Sequence, residues 1–119
     1  MPLVDAAGIR LNYQLDGPEG APVVMLANSL GADLGMWEPQ VAALARRFRV
    51  LRFDMRGHGR SDVPPGPYRI DGLALDAVAL LDALGIDRVH FCGLSLGGAV
   101  GQWLAIHRPE RLRSLTLCA

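Results

Sequence analysis

One pentapeptide in this sequence has the residue types and spacing of a catalytic nucleophile. Gly93-Leu94-Ser95-Leu96-Gly97 follows a strand-like run, Val89-His90-Phe91-Cys92, and begins a helix-like run that ends near His107. In this setting G-x-S-x-G predicts a nucleophile elbow, a sharp strand-to-helix turn that presents a serine hydroxyl above the sheet. Ser95 is therefore the candidate nucleophile for an acyl-transfer reaction.

Glycines on both sides of Ser95 fit the geometry of such a turn. The turn holds the serine in a strained backbone conformation, and a side chain at Gly93 or Gly97 would collide with neighbouring chain. The backbone N–H of Leu96 lies at the positive N-terminal end of the new helix. We therefore expect this N–H to stabilise the oxyanion that forms when Ser95 attacks a carbonyl group.

The partners that a nucleophilic serine needs do not follow the pentapeptide. In folds with this elbow, the acid and the histidine come after the serine along the chain. The only downstream histidine is His107, and twelve helical residues place it about 18 Å from Ser95. Glu110 falls in the turn after the same helix. We expect the chain to contain the nucleophile half of a catalytic site, with the triad acid and histidine unassigned.

Strand-like and helix-like runs alternate in the rest of the chain, and they must position Ser95. Apolar strands that alternate with helices predict an α/β fold, with a mostly parallel sheet and helices on both faces. No repeat or linker interrupts the pattern, so residues 1–119 are expected to belong to a single domain. The predicted strands are 9–15, 23–27, 50–53, 89–92 and 115–118, and the predicted helices begin at Pro39, at Ile70 and after Ser95, with Gly85 as a C-terminal cap.

Two loops follow predicted strands at the edge where open α/β sheets bind ligands. In the first, Asn28-Ser29-Leu30-Gly31, the N–H of Leu30 is the candidate second oxyanion donor; an ordinary Asn/Ser/Gly turn is the alternative interpretation. The second, residues 54–62, contains Asp54 and His58. These two residues could complete a triad with Ser95, but a dense run of oppositely charged turn residues favours a role in fixing the loop itself.

Composition excludes several classes of function. The net charge of zero provides no general attraction to nucleic acid or to a membrane surface. All twelve basic residues are arginine, so the chain has no lysine for Schiff-base or Walker-type phosphate chemistry. No apolar run approaches the roughly eighteen residues of a membrane span, and Asp5 interrupts any signal peptide. A cytoplasmic protein is expected.

The sequence predicts neither a metal site nor a cofactor site. No two histidines have metal-site spacing, and His90 is expected to lie in the core or on the sheet surface. Cys92 and Cys118 both lie in apolar strand-like segments. We therefore expect two buried thiols rather than a disulfide or a pair of metal ligands.

The motifs of this chain resemble those of the 3-oxoadipate enol-lactonases, which are α/β-hydrolase enzymes of protocatechuate and catechol breakdown. The resemblance extends from about Ile9 to Cys118. Arg56-Gly57-His58-Gly59-x-Ser61 is shared by many α/β hydrolases, whereas the 28–31 loop and Phe91-Cys92-Gly93 are more specific. Leu96 departs from the methionine that is common at this position of the family. The matching motifs are Asn28-Ser29-Leu30-Gly31, Met36-Trp37, 48–52, 54–62, Pro67-Tyr68 and 91–98.

The resemblance implies hydrolysis of an enol-lactone to 3-oxoadipate without a metal or organic cofactor. Ser95 would attack the lactone carbonyl, and the N–H groups of Leu30 and Leu96 would hold the oxyanion. Members of the family continue through a helical lid, a strand with the acid and a loop with the histidine. The resemblance therefore implies the N-terminal part of a single α/β-hydrolase domain, which is expected to be inactive alone.

Two other interpretations remain open at this stage. A general carboxylesterase or a haloperoxidase-like α/β hydrolase would share the elbow and differ in its lid. A non-catalytic half-domain is the third interpretation, in which the strand that ends at Cys118 exposes its edge and the chain associates with a partner or with itself. In none of these is nucleic acid or a membrane an expected partner.

Overall fold

Strands and helices alternate in the computed structural model, which describes residues 2–119. Its secondary structure comprises six β-strands, three α-helices and two short 3₁₀ helices. In chain order these are β1 (Leu3–Ala6), β2 (Ile9–Asp16), β3 (Val23–Ala27), a 3₁₀ helix (Leu34–Trp37), α1 (Glu38–Leu44), β4 (Arg49–Phe53), α2 (Ile70–Ala83), β5 (Val89–Leu94), α3 (Leu96–His107), a 3₁₀ helix (Pro109–Arg111) and β6 (Leu112–Cys118).

The six strands form one mixed sheet in the order β1-β2-β4-β3-β5-β6. The pairs β4–β3, β3–β5 and β5–β6 are parallel, and the pairs that involve β1 or β2 are antiparallel. The carboxyl ends of β3, β4, β5 and β6 therefore meet at one edge of the sheet. The predicted α/β fold with a mostly parallel sheet is confirmed, and the candidate loops lie at the expected edge.

Helices cover both faces of the sheet, as the sequence predicts. Helices α2 and α3 bury a large apolar cluster against one face, in which Met25, Leu80 and Phe91 are at most 1% exposed. On the other face, a smaller cluster around Val24 and Val50 packs against α1 and the preceding 3₁₀ helix. Among residues 2–119, no helix combines the length and apolar character that crossing a bilayer requires.

Helix α3, which Ser95 precedes, lies unusually close to the sheet. A Cβ atom at Gly101 would lie 2.9 Å from the ring of Phe91 on β5 and 2.7 Å from a methyl group of Leu115 on β6. Only glycine at this position lets the helix approach to that distance without displacing its neighbours. The packing therefore holds the second turn of α3, which follows closely after the elbow, against β5 and β6.

Two expectations from the sequence differ from the fold. Strand β1 was not predicted, because its four residues are too few to display alternation, and it ends in a tight turn in which Ala7 and Gly8 both have positive φ. Cys118 is exposed, so the prediction of a buried thiol there is wrong, and Cys92 is only half-buried. The apolar residues around Cys118 belong to β6, which is an edge strand and is only partly covered.

The end of α2 generates a testable prediction. Gly85 has a φ of +70°, and the N–H of Ile86 donates to Leu81 O at 2.9 Å, which is the Schellman pattern. Replacing Gly85 with alanine should lower the free energy of unfolding by roughly 1 kcal/mol, since a Cβ atom disfavours positive φ. Urea denaturation measures the change.

Gly72→Ala is the matched control for that substitution. Gly72 lies in the first turn of α2 with open space around its Cα, so alanine there should leave stability unchanged or raise it by up to about 1 kcal/mol. Equal losses at Gly72 and Gly85 would contradict the assignment of Gly85 as the cap.

Candidate active site

Ser95 stands in a strained turn between β5 and α3. Its φ is 54° and its ψ is −107°, a left-handed conformation that residues with a Cβ atom rarely adopt. Its N–H donates to Cys118 O at 2.9 Å, which ties the turn to the end of β6. The side chain is exposed, and its hydroxyl forms no hydrogen bond with the rest of residues 2–119. The geometry is that of a nucleophile elbow.

The glycines of the pentapeptide lie where the chain passes closest to itself. A Cβ atom at Gly93 would overlap the backbone of Gly97, and a Cβ atom at Gly97 would overlap the carbonyl group of Ala27 at the end of β3. Both positions therefore need glycine for space and not for positive φ. The first turn of α3 is pressed against β3, which brings the loop after β3 next to Ser95.

That loop contains Leu30, the other predicted oxyanion donor. It leaves β3 at Asn28, whose backbone carbonyl accepts the N–H of Gly97 at 3.1 Å, so the loop and the elbow are in direct contact. Leu30 is 77% exposed at the tip. Within residues 2–119, neither the N–H of Leu30 nor that of Leu96 donates a hydrogen bond to another protein group. Both donors remain available to a ligand.

Asp54 organises its own loop and takes no part in a triad with Ser95. Its side chain is 1% exposed, and its carboxylate accepts hydrogen bonds from the N–H of Leu34 at 2.7 Å, from Asn12 Nδ2 at 2.9 Å and from the N–H of Arg60 at 2.9 Å. A Cβ atom at Gly59 would overlap this carboxylate. The geometry therefore agrees with the prediction that the polar residues of the loop 54–62 fix the loop itself.

The described histidines all have partners other than Ser95. His58 Nδ1 lies 3.0 Å from Arg56 O, and His90 Nδ1 lies 2.8 Å from Ser114 Oγ on the sheet surface. His107 stacks on Trp103 at the far end of α3. Within residues 2–119 no group of three or more His, Cys, Asp and Glu side chains is placed to hold a metal ion. Among residues 2–119, no histidine is thus hydrogen-bonded to Ser95 as a general base would be.

Cys92 lies on β5 close to the elbow but is a poor nucleophile. Burial, assisted by the neighbouring Cys118 thiol, raises the pKa of Cys92 to about 11. The thiol is therefore protonated at neutral pH, and thiolate chemistry is suppressed. Ser95 is therefore the candidate nucleophile at this edge of the sheet, beside a shallow cavity of about 350 Å³ between α3 and the end of β6.

Sequence reasoning missed one pair of residues at the site. Trp37 Nε1 donates to Asn28 Oδ1 at 2.8 Å, and Asn28 Nδ2 donates to Phe53 O at 2.8 Å, all of it buried. The tryptophan follows the 28–31 loop closely in the chain, and both residues fall within motifs of the resemblance. No feature of the sequence says that their side chains meet.

A family comparison agrees with the elbow geometry. The family model of the alpha/beta hydrolase fold matches residues 22–119, which is most of the chain. The chain belongs to the α/β hydrolase family. This family presents its nucleophile on a strand-to-helix turn of the kind seen at Ser95.

The more specific resemblance is to enol-lactonases. The chain is 48% identical over 110 residues to 3-oxoadipate enol-lactonase 2 of Acinetobacter baylyi, with 92% of this chain and 41% of that protein covered. A solved enol-lactonase from Burkholderia xenovorans LB400 superposes with a TM-score of 0.94 at 49% identity, over 96% of this chain and 45% of that one. The resemblance to this group of hydrolases is confirmed.

Another group of hydrolases also matches. The RutD protein of Caulobacter segnis, which bears the name of a carbamate hydrolase, is 43% identical over 100 residues, with 82% of this chain and 38% of that protein covered. This chain thus spans about two fifths of the length of the relatives that it matches.

The close approach of α3 to β3 generates the second prediction. Replacing Gly97 with alanine should lower the free energy of unfolding by roughly 1–3 kcal/mol, because the new methyl group must displace the backbone of Ala27. Gly98→Ala is the control, since a Cβ atom there would lie 3.4 Å from its nearest neighbour, Gly93 O. Urea denaturation of both variants measures the difference, and equal stability would contradict the contact.

Proposed function

We propose that this chain supplies the nucleophile and the oxyanion donors of a serine hydrolase that opens 3-oxoadipate enol-lactone to 3-oxoadipate. The observation that carries the proposal is the exposed, strained Ser95 beside two unused backbone donors, the N–H of Leu96 in the elbow and the N–H of Leu30 in the neighbouring loop. The lactone is chosen as substrate because the chain is 48% and 45% identical to two proteins named 3-oxoadipate enol-lactonase.

The proposed reaction has two stages. Ser95 Oγ attacks the lactone carbonyl, and the N–H groups of Leu30 and Leu96 stabilise the resulting oxyanion. Collapse of this intermediate breaks the ring C–O bond, so the leaving group is an enolate of the same molecule. The enolate takes up a proton and becomes a ketone. Water then cleaves the ester to Ser95 and releases 3-oxoadipate.

Both stages need a base that removes a proton, first from Ser95 and then from water. Nδ1 of His58, of His90 and of His107 each contacts a group other than Ser95, and no described hydrogen bond joins a histidine to the serine. The matched relatives are more than twice as long as this chain, and we place the base and its acid in the corresponding remainder of the complete gene product. The contacts to the carboxylate of the substrate belong there as well.

Carbamates, suggested by the name of the RutD proteins, and simple carboxylic esters are the alternative substrate classes. Each of these substrates has an acyl carbon that a serine can attack, so Ser95 and its donors fit each class equally. The 43% identity to RutD over 100 residues is lower than the 48% to the lactonase, and this difference favours the lactone.

The direct test is turnover by the complete gene product that contains this chain. Ser95→Ala should reduce lactone hydrolysis by at least about 10⁴-fold, because removing a triad member leaves only oxyanion and binding effects. Loss of lactone absorbance measures the rate, with an aryl ester and a carbamate as comparison substrates.

Two results would contradict the proposal. If hydrolysis persists in the Ser95→Ala variant, Ser95 is not the nucleophile. A higher kcat/KM for the carbamate or the aryl ester than for the lactone would replace the substrate assignment.

We further propose that the chain on its own associates through β6. This strand pairs with β5 on one side only, and Leu117 on it is 47% exposed. An apolar groove of about 320 Å³ runs beside it, with Leu44, Phe48 and Thr116 in its lining. Exposed edge strands with apolar faces favour pairing with a second chain.

Light scattering after gel filtration tests this association with the 119-residue chain. Leu117→Lys should shift the chain toward monomer, because a charged side chain opposes edge pairing. Ile106→Lys is the control, since Ile106 is also exposed and apolar, at 73%, but lies on α3. A monomeric unsubstituted chain, or equal effects of the two lysines, would overturn the proposal.

A further inference from the structure

Asn28 has a buried side chain whose amide oxygen and amide nitrogen both form hydrogen bonds. The side chain is 1% exposed; Oδ1 accepts from Trp37 Nε1 at 2.8 Å, and Nδ2 donates to Phe53 O at 2.8 Å. Reversing the amide would place donor against donor and acceptor against acceptor. The orientation is therefore fixed, and it joins the end of β3 to the end of β4 and to the 3₁₀ helix before α1.

The backbone of Asn28 contacts the nucleophile side of the site. Its carbonyl accepts the N–H of Gly97 at 3.1 Å, and Gly97 directly follows Leu96. Leu30 lies two residues after Asn28 in the loop. The side chain of Asn28 is thus hydrogen-bonded to β4 and to the 3₁₀ helix, and its main chain is hydrogen-bonded to the elbow. Asn28 therefore connects the segments that contain the two proposed oxyanion donors.

Little else in the structure holds Leu30 in place. Its side chain is 77% exposed, and a Cβ atom at the following Gly31 would meet nothing within 4 Å. The loop has one internal backbone hydrogen bond, from the N–H of Ala32 to Ser29 O at 3.2 Å. Within residues 2–119, the only hydrogen bond of the Ser29 hydroxyl is to the sulfur of Met36, at 3.8 Å, and a thioether sulfur is a weak acceptor.

We propose that Asn28 is a positioning residue, which sets the separation between the N–H of Leu30 and the N–H of Leu96. The inference rests on the proposed acyl transfer at Ser95 and applies to any acyl substrate. Oxyanion donors act on the charge that develops in the transition state and much less on the bound substrate. Loss of the Asn28 bonds should therefore lower kcat and leave KM nearly unchanged.

The test uses two substitutions in the complete gene product. Asn28→Leu retains the approximate side-chain volume and removes both side-chain hydrogen bonds. We expect kcat to fall roughly 10- to 100-fold, the loss that a misplacement of about 1 Å in a catalytic group can cause. Trp37→Phe removes one of the two bonds without touching the loop and should cause a smaller fall in kcat. Rates are measured with the enol-lactone and with an aryl ester.

The control is Trp103→Phe, the same exchange at the other tryptophan of the chain, which stacks on His107 at the far end of α3. It should leave kcat and KM unchanged. Each variant is assayed under conditions where urea denaturation shows it to be folded, so a purely structural role would appear as lost stability with normal kcat. That result in Trp37→Phe and in folded Asn28→Leu would overturn the inference, as would a rise in KM with unchanged kcat.

The two substrates separate this inference from the proposed function. If the aryl ester is hydrolysed and the lactone is not, the substrate assignment fails, while the fall in kcat for the aryl ester still tests Asn28. If Ser95→Ala leaves both activities intact, there is no acyl transfer at Ser95 and both proposals fall.

Discussion

The close contact between the first turn of α3 and the end of β3 is the constraint on which the site depends. It requires glycine at position 97, because a Cβ atom there would overlap the carbonyl group of Ala27, and the turn that precedes it requires glycine at position 93, because a Cβ atom there would overlap the backbone of Gly97. Ser95, between these two glycines, has a left-handed conformation with a φ of 54°. Strain of this kind persists only where the surrounding structure holds it, and here α3 is packed tightly on β5 and β6 through Gly101.

Polar groups around this contact connect neighbouring loops to the sheet. Asp54 receives three hydrogen bonds that bring together β2, the 3₁₀ helix before α1 and its own loop. Arg52, which is 2% exposed, forms ion pairs with Asp16 at 3.2 Å and with Glu38 at 2.7 Å. Buried polar groups are costly unless they are paired, so these networks favour a single arrangement of the loops over alternatives. The loops after β4 and before α1 are thereby connected to the sheet at the edge where Ser95 lies.

Much of the fold could be predicted because its signals are local. The limits of β3 are those expected from the apolar run 23–27, and the capping glycine at 85 marks the end of α2 correctly. The elbow was predicted because glycine spacing, a preceding strand and a following helix coincide in one segment. Leu30 and Leu96 could be proposed as oxyanion donors from their positions alone, since the proposed donors are backbone N–H groups.

The remainder depends on contacts between segments that are distant in sequence. Asn28 could be read only as a turn residue, because its partners Trp37 and Phe53 are brought to it by the sheet. Cys118 was expected to be buried since its neighbours are apolar, but burial depends on whether another element covers β6. The composition of a segment indicates whether its residues favour burial. Whether they are buried depends on which other elements of the fold pack against that segment.

The central claim is that Ser95 forms an ester with the acyl group of a lactone. It is tested most directly by mixing the complete gene product with 3-oxoadipate enol-lactone, quenching with acid within milliseconds and mapping modified peptides by mass spectrometry. Ring opening retains every atom of the substrate, so the peptide that contains Ser95 should gain the full mass of the lactone. An adduct on another residue, or turnover without any adduct at Ser95, would contradict the claim.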